Sequence, residues 1–98
     1  MADLNRNDVE VIHNREQQRF EVQLGDQLAE MTYHLVDGAY AITHTGVPVE
    51  YRGRGIADRL AVAALEHIRA EGSKVIPVCS FMHTYLRRHK EYAPLVAD

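Results

Sequence analysis

Apolar and polar residues alternate in short runs through the first half of the chain, and the pattern changes to a helical period near Ala57. Val9-Glu10-Val11-Ile12-His13 predicts a first strand, and Arg19-Phe20-Glu21-Val22-Gln23-Leu24 a second. Gly25-Asp26 is a two-residue turn signal, after which Ala29, Met31, Tyr33 and Leu35 share one face of a third strand. Both Asp37 and Gly38 tolerate positive φ, so they predict a type I′ hairpin leading into a fourth strand from Ala39 to about Val47. These four strands are expected to form an antiparallel sheet.

Ala57, Leu60, Ala61, Ala64, Leu65 and Ile68 then fall on one helical face, and Gly72 supplies the stop. Lys74 to Cys79 reads as a fifth strand in which Pro77, lacking an N–H, marks an edge or a bulge. Strand, helix and strand make a βαβ unit, so the fifth strand should run parallel to the fourth with a right-handed crossover. A terminal helix is expected from Ser80 to about Arg88, with Phe81, Tyr85 and Leu86 turned inward, and Tyr92, Pro94, Leu95 and Val96 as an apolar tail capping the sheet. The expected fold is α+β: an antiparallel four-stranded sheet, a βαβ unit with a parallel fifth strand, and a short C-terminal helix, all in one domain over residues 1–98. A chain of this length buries roughly 60–70% of its unfolded surface.

The junction Tyr51-Arg52-Gly53-Arg54-Gly55-Ile56-Ala57 joins the end of the fourth strand to the helix. Gly53 and Gly55 let the backbone take positive φ and let a ligand approach bare N–H groups. The first amides of a helix have no partners within it, and the dipole adds positive charge there, so this is a place to hold phosphate. A Walker loop is absent, and Asp58 stands where a dinucleotide fingerprint needs its third glycine. Crevices form at such sheet junctions.

The pattern Arg52-x-x-Gly55-x-Ala57 resembles the Arg/Gln-x-x-Gly-x-Gly/Ala signature of the GNAT N-acetyltransferase superfamily. The likeness extends through Ile42-Thr43-His44-Thr45, Val47-Pro48, Val78-Cys79-Ser80-Phe81 and Arg88-His89-x-Glu91-Tyr92, covering roughly residues 40–96, and looks like the minimal single-domain branch of that superfamily. Lys90 departs from the branch's pattern, which favours proline after the histidine. Larger members also carry an N-terminal helical region that helps form the acceptor site, so the resemblance supports the acetyl-donor half more fully than the acceptor half.

The resemblance implies an acetyl-coenzyme A-binding N-acetyltransferase acting on a primary amine of a small molecule or peptide. It implies that Gly53 to Ala57, with Arg52 and Arg54 at the rim, hold the pyrophosphate, Ile56 included. It also implies that the strand edge near Val47 pairs with the pantetheine arm and that an N–H of the fourth strand polarises the thioester carbonyl. An amine of pKa about 10.4 needs a proton acceptor at neutral pH. His44 is the leading base, because histidine titrates in that range, and Glu50 is a weaker alternative. Cys79, at the end of the fifth strand, has three candidate roles: accepting acetyl, protonating the leaving thiolate, or lining the pocket. Tyr85 and Tyr92 are further candidate donors, each more simply a packing aromatic.

Composition narrows the alternatives. Net charge of -3 and a pI near 6.0 lack the positive excess of a non-specific nucleic-acid binder. A nucleic-acid role would have to rest on Arg52, Arg54, Arg59 and the run Arg87-Arg88-His89-Lys90, which reads more simply as a solvated helix end. Cys79 is the sole cysteine, which excludes an internal disulfide and fits a reducing compartment. Cys79, His83 and His89 lack a paired ligand motif, so no metal is expected. His13, His34 and His67 read as exposed or structurally bonded. Residues 1–7 carry no apolar signal core and no segment reaches the length of a membrane span, so a cytoplasmic protein without membrane or nucleic-acid partners is expected, as a monomer or weak homodimer. The alternative function is a non-catalytic acyl-coenzyme A-binding or interaction module.

Overall fold

Two hairpins form where the turn signals stand. The computed structural model describes residues 9–98; residues 1–7, read above for a targeting signal, lie outside the described residues. Strands β1 (Ile12–Asn14), β2 (Arg19–Leu24), β3 (Gln27–Val36) and β4 (Ala39–Gly46) are followed by helix α1 (Ile56–Glu71), strand β5 (Val75–Pro77) and helix α2 (Ser80–Arg88). Short 3-10 helices occupy Val49–Tyr51 and Lys90–Leu95. The sheet order is β1-β2-β3-β4-β5, antiparallel across the first four strands and parallel between β4 and β5. Asp37 at φ 51° and Gly38 at φ 84° make the β3–β4 turn, whose flanking residues Val36 and Ala39 pair.

Phe20, Val22 and Leu24 of β2 and Ala29, Met31 and Tyr33 of β3 are buried with Leu60, Ala61, Ala64, Leu65 and Ile68 of α1. Met82, Tyr85 and Leu86 of α2 join that core. The helix stops at Gly72, whose left-handed backbone donates to Arg69 O while the Ser73 N–H reaches Ile68 O.

Four local expectations are corrected. The first strand begins at Ile12, not Val9; Val9 is buried in the core and its carbonyl accepts from the Arg59 guanidinium. Leu35 is 52% exposed although it continues the alternation of β3; it stands one pair from the Val36–Ala39 end of the hairpin, where Val36 is half exposed as well. The fifth strand is shorter than Lys74–Cys79: after Pro77 the N–H groups of Val78 and Cys79 both donate to Ile42 O, which turns the chain out of the ladder. In α2 Met82 is fully buried and Phe81 only half-buried, because the Cys79 sulfur caps the helix at the Met82 N–H and sets its rotation. The tail meets its expectation in part: Tyr92 is buried, Leu95 and Val96 are half-buried and Val96 bridges Val75 along the outer edge of β5, whereas Pro94 is exposed, its carbonyl accepting from Lys74 Nζ. Among the described residues no helix is long and apolar enough to cross a membrane.

The structure bonds two of the histidines. His13 stacks on Phe20 with centroids 4.1 Å apart, and its Nε2 lies 2.7 Å from the Tyr33 hydroxyl. His67 Nε2 meets Glu71 Oε2 at 3.1 Å and the Tyr40 hydroxyl at 3.3 Å, while His34 is exposed. Burial, then the neighbouring His67 and Arg15, lower the His13 pKa against the opposing pull of Glu71. A histidine whose folded pKa lies below its unfolded value stabilises the fold above that unfolded value, about 6.5, and the contribution is lost as pH falls through the folded value. Urea unfolding should therefore give a lower midpoint at pH 5.5 than at pH 7.5, and His13→Gln should flatten that difference. An unchanged slope in the variant would contradict this account.

Candidate functional site

The chain leaves β4 through Val47 and Pro48, makes the Val49–Tyr51 turn, and enters α1 by way of two glycines. Gly53 and Gly55 sit at φ 80° and 81°, a region that glycine enters without the strain a Cβ brings. Gly55 caps α1 with no side-chain hydrogen bond, and the first helical bond runs from Arg59 N to Gly55 O at 3.0 Å. The leading amides of α1 are thus left without an intrahelical acceptor and without a side-chain cap, at the positive end of the helix dipole.

A cavity of about 220 Å³ opens at this point. Its lining comes from the strand end and turn, Val47, Tyr51, Arg52 and Gly53, and from the helix start, Gly55, Ile56, Ala57 and Asp58. Arg52 Nε donates to Val47 O at 3.0 Å, which ties the strand end to the turn. Of the cofactor residues expected from sequence, all but Arg54 line the cavity; Arg54 instead lays its guanidinium 5.6 Å from the Tyr51 ring centre. Nothing stands within 4 Å of where a Gly53 Cβ would be, so backbone conformation and not packing demands glycine there.

Above this cavity β4 and β5 part. Their last pair is Ile42 with Pro77, yet β4 continues along β3 as far as Gly46. The register passes from Tyr33–Ile42 to Thr32–His44, leaving Thr43 as a bulge whose hydroxyl lies 2.9 Å from that of Thr32. Beyond the bulge Thr45 pairs with the buried Met31, and His44 pairs with Thr32. His44 is exposed and reaches back over Gly46: a Cβ on Gly46 would stand 2.9 Å from its Nε2.

Cys79 lies across the gap from Thr45, with Sγ 3.5 Å from Thr45 Oγ1 and accepting from the Met82 N–H at 3.5 Å. Because Thr45 and His44 alternate in direction, His44 and Cys79 flank the end of β4 from its two faces and are not hydrogen-bonded to each other. Glu50 is exposed, and bonds to its own N–H and to Gln27 hold its carboxyl below the usual range, which weakens it as a base. Tyr92 donates to Glu66 Oε2 at 2.7 Å, and burial followed by that bond pushes its pKa up to about 12. Glu66 sits about 16 Å along α1 from Gly55 at 1.5 Å per residue, so Tyr92 belongs to the core and not to the cavity. Burial, then Asp58 and Glu91, raise Tyr85. Among the described residues no three histidine, cysteine or acidic side chains gather as a metal would need.

Tyr51, Thr45 and Asp58 line or adjoin the site without having been assigned a task from sequence; Tyr51 and Thr45 stood inside the matched motifs. The bulge at Thr43 carried no sequence signal.

The class that these elements define is an α+β fold whose mixed sheet splits beside an uncapped helix N-terminus. The chain belongs to the GCN5-related N-acetyltransferase family, whose model matches residues 19–95. Protein NATD1 of Gallus gallus and that of Mus musculus are each 34% identical over 84 residues, spanning 83% of this chain and 76% of theirs. The Homo sapiens protein NATD1 is also 34% identical, over 83% of this chain and 74% of its own. A GCN5-like protein from Staphylococcus aureus, solved by NMR in solution, superposes with a TM-score of 0.73 at 32% identity, covering 90% of this chain and 87% of that one.

Proposed function

We propose that this chain binds acetyl-coenzyme A and transfers the acetyl group to a primary amine, as a cytoplasmic enzyme. The observation that carries the proposal is the continuity of two features: β4 runs past its last pairing with β5, and it ends at the cavity lined by the uncapped N-terminus of α1. Acetyl-coenzyme A supplies an activated thioester and a diphosphate. The amides from Gly53 to Ala57, with Arg52 beside them, offer donors and positive field to the diphosphate. The edge of β4 between Thr43 and Val47, which pairs with β3 alone up to Gly46, offers backbone groups to the amides of the pantetheine arm. His44, exposed at the bulge, takes the proton from the acceptor amine.

Cys79 has a supporting part in this scheme. Its sulfur already accepts from Met82 N–H and neighbours Thr45 Oγ1, and direct transfer to the amine needs no covalent thioester on it. Cys79→Ser, with an oxygen that caps helices well, should keep the fold and cofactor binding. Incubation of the wild type with acetyl-coenzyme A alone should add no acetyl mass to Cys79. An acetyl-Cys79 species discharged by amine at the turnover rate would contradict direct transfer.

A radioactive acetyl-transfer screen over polyamines, amino acids and peptides tests the proposal. Transfer to one class of amine supports it. Cofactor binding with no transfer across the panel would identify an acyl-coenzyme A-binding module instead.

A further inference from the structure

We propose that Thr32 and Thr43 are positioning residues for His44: their paired hydroxyls pin the bulge in β4, and the bulge delivers the imidazole to the face of the sheet turned away from α1. This rests on the reading of His44 as the base. The pairs from Val36–Ala39 to Tyr33–Ile42 run in one register, and those from Thr32–His44 to Glu30–Gly46 in another, displaced by one residue. Had the first register continued, His44 would stand opposite Met31, which is fully buried in the core with α1, and Thr45 opposite Glu30. A one-residue slip exchanges the faces of every side chain beyond it. The extra residue therefore sends His44 outward, opposite half-buried Thr32, and turns Thr45 toward Cys79.

The two hydroxyls hold that slip in place. Thr43 donates to Thr32 O at 3.3 Å, and its Oγ1 lies 2.9 Å from Thr32 Oγ1. A hydroxyl has one proton, so with the Thr43 proton on the carbonyl it is Thr32 that donates across the pair. Two bonds thus join the strands where the inserted residue interrupts the ladder. Both side chains are half-buried, where water competes less for a hydrogen bond than at an open surface. Valine has the same branched shape and suits a strand equally well, so packing alone does not call for hydroxyls at both positions. Beyond the pair the His44 ring folds back over Gly46, which has no Cβ to displace it. A bulge free to slide would lose that placement, because in the other register the ring points into the core.

Thr32→Val, Thr32→Ser and Thr43→Val, each alone and Thr32→Val also in the His44→Ala background, test this, with circular dichroism checking the fold. Thr32→Val removes one bond and Thr43→Val both, so kcat on the accepted amine should fall in that order, the second by roughly tenfold, short of the hundredfold that a 1 Å misplacement can cost. Coenzyme A affinity should stay nearly unchanged, and Thr32→Ser, which keeps the hydroxyl, should restore the rate. In His44→Ala the further change Thr32→Val should cost nothing more, because it acts through a ring that is no longer there. A second readout needs no cofactor: the nuclear Overhauser contact between the His44 ring and the Gly46 α-protons should be present in the wild type and Thr32→Ser and lost in Thr43→Val. A wild-type ring contact in Thr43→Val overturns the role of the hydroxyl pair, whatever the rate. An undiminished loss from Thr32→Val in the His44→Ala background overturns action through His44. A wild-type rate in His44→Ala itself sinks the base reading and takes the catalytic part of this inference with it.

Discussion

Gly55→Asp is expected to remove coenzyme A binding, lowering affinity by at least about a hundredfold. Two effects add. A non-glycine residue held at the φ of 81° seen here costs roughly 1–2 kcal/mol, which lowers affinity because the strained turn relaxes in the free protein and must be restored on binding. A carboxylate about 4 Å from a bound phosphate adds a repulsion on the order of 4 kcal/mol at an effective dielectric near 20, and the sum spans several factors of ten even after discounting for solvent. Gly55→Ala carries the strain without the charge and should lose roughly tenfold. Calorimetry on both variants separates the terms, and equal losses would place the diphosphate away from the helix N-terminus.

His44→Ala should lower turnover on the accepted amine by roughly a hundredfold or more, the range for loss of a general base, with cofactor affinity nearly unchanged. The deficit should shrink as pH approaches about 10, where the free amine becomes abundant and needs no base. Gly46→Ala probes the same group without deleting it. Its Cβ would intrude to 2.9 Å from His44 Nε2, so the imidazole must move, and turnover should fall while the ring remains. Superimposable pH–rate profiles for wild type and His44→Ala would make His44 a structural residue.

Turn chemistry made much of the sheet legible. Asp37-Gly38 and Gly25-Asp26 determine which residues face each other across two hairpins, and the observed pairs Val36–Ala39 and Leu24–Gln27 bracket those dipeptides. The apolar face of α1 was equally plain, because five of its positions recur at helical spacing and are fully buried: Leu60, Ala61, Ala64, Leu65 and Ile68. The glycine turn was readable for a local reason as well, since strand end, glycines and helix start are adjacent in the chain.

What stayed hidden depends on distant partners. The bulge at Thr43 exists only in the register between β3 and β4, and a run of threonine and histidine reads as strand with or without it. It decides which face His44 occupies. The contact between Thr45 and Cys79 joins residues 34 apart in sequence, so neither residue announces the other. Val9 alternates like a strand residue, yet the β1–β2 ladder reaches only the Ile12–Glu21 pair, and tertiary packing claims Val9 instead. In α2, a nine-residue helix, Phe81 and Met82 compete for the inward position, and the sulfur cap at Cys79 settles it.

The central claim is that the uncapped N-terminus of α1 and the free end of β4 form one site for acetyl-coenzyme A. Recording the backbone amide spectrum of labelled protein during titration with acetyl-coenzyme A tests it most directly. The account predicts saturable shifts concentrated in Gly53 to Ala57 and in Thr43 to Val47, with β1 and the β3–β4 hairpin tip unmoved. No shift at millimolar ligand, or shifts confined to residues outside those two segments, would contradict it.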